Sequence, residues 1–277
     1  MAVHRLKHCH FSIVYNEIQT LRVKLPFLYE HFSQIIFYDL NVLTSPFKGS
    51  DDGSREFIQD FPDPEKKIVL ITETNLNGIP PIGRGSIQKR QMFWLGSRFV
   101  APIMDVFWCT DADEFFNESL IEKSENVLIE NPEVNSIDLL HYVFWRSAKY
   151  ILCNEKTDRF PFFPRIARHK SGQIYGHCDI ETQYPKTYHM EDENMYHFSW
   201  IGDKKVREKI TFYTQHCSAS QKERLTNHYA KYLRDVWPME IDDEKAKTIF
   251  NYPNMHPSPD KKNGIKIFQK DLPRWIK

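Results

Sequence analysis

Four short apolar runs in the first half of the chain constrain its fold more than any other feature. Helix-length segments separate these runs, which lie at residues 11–15, 34–38, 68–72 and 106–109. The segment after the first run has the apolar spacing of a helical face, and Pro26 within it favours a kinked or broken helix. Strands that alternate with helices form a mostly parallel sheet through right-handed crossovers. The first half therefore predicts an α/β fold with helices on both faces of the sheet.

The second half of the chain has a different pattern. Apolar and aromatic periodicity predicts strands at 136–145, 174–182 and 195–200, and helices at 204–214 and 221–236. The tail, residues 251–277, contains four prolines and predicts an extended segment over the surface. Because no linker composition separates the two halves, we expect one domain with halves 1–115 and 116–250.

Composition excludes several classes of protein. The 277 residues contain 37 lysines and arginines and 37 acids, so no overall charge attracts nucleic acid. The sequence shows neither a transmembrane segment nor a signal peptide, which predicts a soluble, cytoplasmic protein. The five cysteines are scattered without a CxxC pair, which indicates reduced thiols rather than zinc ligands or disulfides.

An acidic motif directly follows the fourth apolar run. Asp111, Asp113 and Glu114 stand at the end of this predicted strand, where open α/β sheets bind ligands. Two carboxylates one residue apart can hold Mg²⁺ or Mn²⁺, which in turn binds phosphate oxygens. The motif therefore predicts a metal–nucleotide site. The alternative is a helix N-terminus capped by Asp111 and Glu114.

Four short motifs occur in the order found in GT-A-fold glycosyltransferases, and the chain resembles this family over about residues 10–215. FSIVYNE at 11–17 resembles the opening strand of family-2 members, which often read V-x-Y-N-E. IFYD at 36–39 with SDDGS at 50–54 resembles the second strand and its turn. DADE at 111–114 resembles the DxD motif, and YHFSW at 196–200 resembles a strand of the bisecting N-acetylglucosaminyltransferase-like group. The chain is also similar to small glycosyltransferases of large DNA viruses such as chloroviruses.

The resemblance implies a role for each half. Residues 1–115 would bind the nucleotide sugar, and residues 116–250 would bind the acceptor beside a smaller antiparallel sheet. Mn²⁺ or Mg²⁺ would be held by Asp113 directly, with Asp111 on the ribose or a metal-bound water. His197 would be a further ligand, and its alternative is a half-buried strand histidine. Asp39 would bind uracil or ribose. The donor-binding set also includes Tyr15 and Ala112.

Other residues are candidates for the diphosphate and for the acceptor. The lysines and arginine near each predicted site could meet phosphate or form solvated basic faces; they are Lys89, Arg90, Lys204 and Lys209. Asp179 and Glu181 alternate to one face of the predicted strand and are candidates for the base that deprotonates the acceptor, with two exposed acids as the alternative. The aromatic residues Tyr142, Phe144, Trp145, Phe162 and Phe163 could stack on sugar faces, but core packing is favoured for most of them.

The motifs and the resemblance favour a metal-dependent transferase that moves a sugar from a UDP-sugar to a glycan or glycoprotein hydroxyl, with xylose as the first choice and glucose and galactose also open. The resemblance implies inversion, and the residues alone leave retention open. A viral member would act in the host cytoplasm. A sugar-nucleotide nucleotidyltransferase would carry a glycine-rich, lysine-bearing signature where Asn16, Glu17 and Ile18 stand. A haloacid-dehalogenase-type phosphatase would have Thr or Val in place of Phe115. A non-catalytic carbohydrate- or nucleotide-binding protein of the same fold stays a second class of function. Linkage and oligomeric state are left open.

Overall fold

The structure is a computed structural model. It describes residues 5–39, 49–72, 96–153, 157–161, 164–169, 174–175, 180–181, 186–216, 219–237, 250–251 and 264–276. The described strands are β1 His8–Val14, β2 Gln34–Asp39, β3 Ile68–Ile71, β4 Val106–Cys109, β5 Glu114–Phe116, β6 Ser136–Cys153, β7 Phe160–Pro161, β8 Ile166–Arg168, β9 Ile174–Tyr175, β10 Ile180–Glu181, β11 Thr187–Ile201, β12 Phe250–Asn251 and β13 Gly264–Ile267. The described α-helices are α1 Ile18–His31, α2 Ser54–Asp60, α3 Glu118–Glu130, α4 Asp203–His216 and α5 Ala219–Lys231.

The chain divides into two compact units, and the strands β6 and β11 contribute residues to both. Unit 1 consists of Met1–Leu139, Pro161–Asn194 and Leu272–Lys277. Unit 2 consists of Leu140–Phe160 and Met195–Asp271. Within the described residues, no helix has both the length and the apolar character needed to cross a membrane.

Unit 1 is built on a parallel sheet. Its strands lie in the order β3-β2-β1-β4, and each neighbouring pair is parallel. β8 continues the sheet antiparallel to β4 and also pairs with Ser136 and Ile137 of β6. The α/β class with a mostly parallel central sheet is therefore confirmed. Because β1 to β4 run in one direction, their carboxyl ends meet at one edge, as ligand binding in such folds requires.

The two faces of the central strand β1 differ in chemistry because successive side chains alternate across a strand. Cys9 and Phe11 lie in an apolar core with residues of β2 and β4. His8, His10 and Ser12 point to the opposite face and are also buried. His8 Nδ1 accepts a hydrogen bond from the Trp108 indole at 2.8 Å, and its Nε2 lies 3.0 Å from Glu125 Oε1. One face of the sheet is thus apolar, while the other contains a buried polar column.

The helix α1 packs its apolar side against the protein with Leu21, Leu25 and Leu28 buried. Pro26 lies inside α1, yet the helix continues to His31, so of the predicted kink or break the break does not occur, and the kink stays a prediction. A proline removes one helical N–H, but burial of an amphipathic face supplies most of the stability of a helix in a protein. At the end of the chain, the Trp275 ring stacks on Phe27 with centroids 4.0 Å apart.

Unit 2 combines antiparallel strands with helices. β13 pairs antiparallel with residues 150–153 of β6, and β12 pairs with β13. A cluster of buried aromatic side chains lies beside α4 and α5, and the Trp145 indole donates to Tyr232 Oη at 2.8 Å. Tyr142, Phe144 and Trp145 are buried, which confirms core packing for these three residues.

Two predictions for the second half are corrected. The predicted strand at 174–182 is replaced by two short antiparallel strands, in which Ile180 pairs with Tyr175 and Glu181 with Ile174. The predicted extended tail contains the strand β13, because Ile265 is an apolar residue that becomes fully buried beside β6. Both errors arise because strand pairing depends on partners distant in sequence, which local periodicity does not contain.

Candidate active site

The acidic motif forms a short loop between β4 and β5 at the carboxyl edge of the parallel strands. Glu114 begins the strand β5, and α3 begins only at Glu118, so the alternative of a helix capped by these acids is wrong. The Asp111 carboxylate is 22% exposed, whereas Asp113 is 5% exposed and Ala112 is buried. The structure therefore brings Asp111, Ala112 and Asp113 together at the edge where a ligand would bind.

The protein binds Asp111 mainly through its peptide groups. Lys24 Nζ donates to the Asp111 carbonyl at 2.6 Å, and the Asp111 N–H donates to Glu114 Oε2 at 2.9 Å. Glu114 is buried and accepts a second hydrogen bond from Arg165 Nη2 at 2.6 Å. Arg165 Nη2 lies 3.9 Å from the Asp111 carboxylate. Buried side chains thus hold the backbone of the loop, and the Asp111 carboxylate stays partly accessible to solvent.

Buried polar side chains of β1 and α1 form hydrogen bonds with Thr110, the residue directly before Asp111. Lys24 Nζ also donates to Thr110 Oγ1 at 2.9 Å, and His10 Nε2 lies 2.8 Å from the same hydroxyl oxygen. Ser12 Oγ donates to the Thr110 carbonyl at 2.7 Å. Burial lowers the pKa of Lys24 to about 8, although Glu114, Asp113 and Asp111 favour its charged form. Burial and the Lys24 charge hold the pKa of His10 well below its usual range, which keeps this imidazole neutral.

The sequence interpretation missed this supporting set, which comprises Lys24, His10, Ser12, Thr110 and Arg165. One signal was present in the sequence. Lys24 falls three residues after Leu21 and four before Leu28, on the apolar face of α1, and a charge there must find a polar partner. A second signal is the alternation of His8, His10 and Ser12, although the predicted strand began only at Phe11 and so left both histidines outside it.

Asp39 ends β2 and is fully buried. Its Oδ1 accepts hydrogen bonds from the Ser50 N–H at 2.8 Å and the Ser50 hydroxyl at 2.6 Å. Its Oδ2 accepts from Arg55 Nε at 2.6 Å. The resemblance places uracil or ribose on Asp39, and a ligand there would meet a buried carboxylate that already accepts from Ser50 and Arg55.

The loop after β1 is tied to the loop before α2. Three successive N–H groups, those of Asn16, Glu17 and Ile18, donate to Ser50 Oγ at 3.0 Å, Ser54 Oγ at 2.9 Å and Asp52 Oδ2 at 3.0 Å. Free N–H groups at a helix N-terminus form an anion-binding site. Here internal oxygens occupy that position at the start of α1. Tyr15, which precedes these groups, is 41% exposed and presents its side chain to solvent.

The acidic loop fits one kind of metal site. Among the described residues, no group of three or more His, Cys, Asp or Glu side chains is arranged to hold a metal ion. Mg²⁺ usually keeps several waters and is bound by one or two carboxylates together with substrate phosphates. The part-exposed Asp111 and its neighbour Asp113 match that donor set, in which the substrate completes the coordination.

Three of the predicted site residues lie in unit 2. His197 is half-buried on β11, with its ring centroid 6.0 Å from that of His141. Lys204 is exposed and lies 3.8 Å from Glu208. Lys209 Nζ donates to Ser199 Oγ and lies 5.1 Å from the centre of the Trp200 ring. Of the two lysines, Lys204 thus belongs to a solvated charged surface, while Lys209 is held by neighbours on β11.

Several predicted residues lie outside the described part of the chain. Lys89, Arg90, Asp179, Phe162 and Phe163 are in this group. For Glu181 the structure describes the backbone, as the last residue of β10. Their proposed roles stay predictions.

No protein-family model matches the sequence, and comparison with curated proteins finds no match. Among solved structures, the chain is similar at 9% identity to TarS 1-349 of S. aureus, with a TM-score of 0.41 over 87% of this chain and 77% of that chain. It is also similar at 9% identity to 4-diphosphocytidyl-2C-methyl-D-erythritolsynthase from Anaerococcus prevotii, with a TM-score of 0.39 over 83% and 99% of the two chains. Likenesses this distant assign neither a family nor an activity.

Proposed function

We propose that the chain is a metal-dependent glycosyltransferase of GT-A type. In this proposal it transfers a sugar from a UDP-sugar, with UDP-xylose as the first candidate, to a hydroxyl of a glycan or glycoprotein. The observation that carries the proposal is the acidic loop after β4. Lys24 and Glu114 hydrogen-bond the carbonyl and the N–H of Asp111. The Asp111 carboxylate stays part-exposed beside Asp113, at the carboxyl ends of the parallel strands.

The residues of the loop suit the binding of a nucleotide diphosphate through a cation. Asp113 and Asp111 would hold Mn²⁺ or Mg²⁺, and His197 is proposed as a further ligand. The bound metal would supply positive charge that stabilises the leaving diphosphate as a Lewis acid. Tyr15, with its exposed ring beside the β1 end, is proposed to stack on the base. Ala112 and Asp39 complete the proposed nucleoside-binding set.

The remaining proposed roles concern the diphosphate and the acceptor. Lys89, Arg90, Lys204 and Lys209 would neutralise the diphosphate as its charge develops. Asp179, or else Glu181, would take the proton of the attacking hydroxyl. A single displacement with one such base inverts the configuration at the transferred carbon.

The loop after β1 argues against the nucleotidyltransferase alternative. That activity calls for phosphate-binding donors after the first strand, whereas the N–H groups of Asn16, Glu17 and Ile18 already donate to internal oxygens. The non-catalytic alternative predicts metal-dependent UDP binding without turnover of any donor.

The test is release of UDP from a panel of UDP-sugars in Mn²⁺ or in EDTA. We expect one donor to be turned over only with Mn²⁺, and Asp113→Ala to abolish this turnover. The matched control is Asp60→Ala, because Asp60 is an exposed acid at the end of α2, away from the acidic loop in sequence. UDP binding without turnover would favour the non-catalytic alternative. Absence of both binding and turnover would overturn the UDP assignment.

A further inference from the structure

Lys24 is a buried cation that the proposed reaction does not use. It lies on the apolar side of α1 and is fully buried. Burying an ammonium group is unfavourable unless hydrogen bonds and opposite charges compensate. Its two described hydrogen bonds go to the Asp111 carbonyl and the Thr110 hydroxyl, rather than to a carboxylate. Both described hydrogen bonds of the Lys24 ammonium therefore go to the start of the acidic loop, one to the backbone and one to a hydroxyl.

These contacts determine how Asp111 is presented. The Asp111 carbonyl accepts from Lys24, and the Asp111 N–H donates to Glu114. The N–H belongs to the peptide group before Asp111 and the carbonyl to the peptide group after it, so these two bonds hold the backbone on both sides of the Asp111 Cα and restrict the direction of its side chain. The ammonium also attracts Asp111, Asp113 and Glu114, which offsets the repulsion among these three carboxylates.

Thr110 couples Lys24 to the strand β1. Its hydroxyl oxygen is shared by Lys24 Nζ and His10 Nε2, and its carbonyl accepts from Ser12. The neutral His10 and the charged Lys24 thus meet at one side chain directly before Asp111. Loss of the Thr110 hydroxyl would therefore remove one of the two hydrogen bonds that fix the Lys24 ammonium.

We infer that Lys24 is a positioning residue for the metal-binding acidic loop, and that Thr110 anchors it. This inference rests on the proposed function, because it assumes that Asp111 and Asp113 bind a divalent cation. Lys24 acts through the Asp111 peptide and does not touch the cation. Groups that orient metal ligands from behind change metal affinity when they are removed, by about 10- to 100-fold.

The test measures Mn²⁺ affinity at saturating UDP, from the electron paramagnetic resonance signal of free Mn²⁺. Lys24→Met keeps the length and burial of the side chain but removes its charge and its hydrogen bonds. We expect Lys24→Met to weaken Mn²⁺ binding about 10- to 100-fold. Thr110→Val removes the shared hydroxyl and is expected to weaken binding in the same direction, whereas Thr110→Ser keeps the hydroxyl and retains the affinity of the parent chain. Thermal unfolding in EDTA checks that each variant is folded.

The outcomes separate this inference from the proposed function. A parent chain that binds no Mn²⁺ with UDP overturns both. A parent chain that binds Mn²⁺, together with a folded Lys24→Met variant of equal affinity, overturns only the role of Lys24. If Lys24→Met does not fold, the threonine pair decides: equal affinities of Thr110→Val and Thr110→Ser would reject the inference, and a loss confined to Thr110→Val supports it.

Discussion

Asp39 and Asp111 stand at equivalent places in the sequence pattern but are treated differently by the fold. Asp39 is the last residue of the buried parallel strand β2, and Asp111 lies in the loop directly after the buried parallel strand β4. The Asp39 carboxylate is fully buried and accepts from Ser50 and Arg55. At Asp111 the backbone N–H and carbonyl are hydrogen-bonded, while the carboxylate is 22% exposed and lies 3.9 Å from Arg165 Nη2.

This difference shows that an acid at a strand end has a role only once its partners are known. A carboxylate with oxygens held inside the protein fixes loops and contributes to stability. A carboxylate on a peptide that is itself held can be offered to a cation or ligand. Glu114, Glu125 and Asp52 belong to the first class, because described internal groups donate to each of them. Substitution of an internally bonded carboxylate should therefore lower stability, whereas substitution of a part-exposed one should lower ligand binding.

The largest expected effect is on stability, at the buried pair of Glu114 and Arg165. Glu114→Ala removes the buried carboxylate that accepts from Arg165 Nη2 at 2.6 Å, and loss of one member of a buried ion pair costs about 3–5 kcal/mol in the free energy of unfolding. Urea denaturation measures this loss. The control is Glu122→Ala, because Glu122 is exposed on α3 and should change stability by no more than about 0.5 kcal/mol. Similar losses of stability in the two variants would show that the buried Glu114–Arg165 pair does not stabilise the acidic loop.

The next effect is a pH dependence at Glu125. Burial alone would raise the pKa of this carboxyl, but hydrogen bonds from His8 and the Leu6 N–H outweigh it and lower the pKa to about 2. A carboxyl with a lowered folded-state pKa stabilises the fold above its usual value of 4.5 and loses this contribution as pH falls toward 2. Each unit of difference corresponds to about 1.4 kcal/mol.

Unfolding free energies of the parent chain and Glu125→Gln, from about neutral pH down to about pH 2, measure this contribution, because it is lost between the usual pKa of 4.5 and the folded-state pKa of about 2. We expect the parent chain to be more stable at neutral pH and the difference to shrink below pH 4.5. A difference that does not vary with pH would show that the hydrogen bonds act without the carboxylate charge.

A third prediction compares Asp39 and Asp111 directly. Asp39→Asn weakens the charged hydrogen bond with Arg55 and should cost about 1–3 kcal/mol of stability. Asp111→Asn should change stability by about 0.5 kcal/mol or less, because its peptide contacts remain. Under the proposed function, Asp111→Asn also lowers Mn²⁺-dependent UDP affinity, which isothermal titration measures. Equal losses of stability at both positions would remove the distinction between the two acids.

The smallest effect concerns Asp52, which accepts from the Ile18 N–H at the start of α1. Asp52→Ala removes this cap and should cost about 1 kcal/mol in thermal or urea unfolding. The neighbouring Asp51→Ala is the matched control, because Asp51 uses its backbone N–H, which donates to Asn16, and its side chain is exposed. A loss at Asp51 as large as that at Asp52 would show that charge, rather than capping, is responsible.

Features encoded in consecutive residues were predictable. Apolar runs identify β1 to β4 within a few residues, and β4 coincides with the predicted 106–109. The acids after β4 follow directly from that assignment. Local signals failed where partners are remote: the predicted strand at 174–182 became two paired strands, and Pro26 did not interrupt α1. The placement of His197 and the lysines of α4 relative to a ligand depends on contacts that periodicity does not encode.

The sequence by itself therefore determined the strands β1 to β4 and the position of the acidic motif after β4, because apolar periodicity and the succession of elements along the chain are contained in consecutive residues. Only the tertiary structure decided which carboxylates are hydrogen-bonded inside the protein and which stay accessible to a ligand. Lys24 and Asp111 are 87 residues apart, and Arg165 and Glu114 are 51 apart, so no window of sequence contains either pair. Folding brings these charges together because a buried charge is tolerated only beside compensating partners, and that requirement gives Asp39 and Asp111 different surroundings.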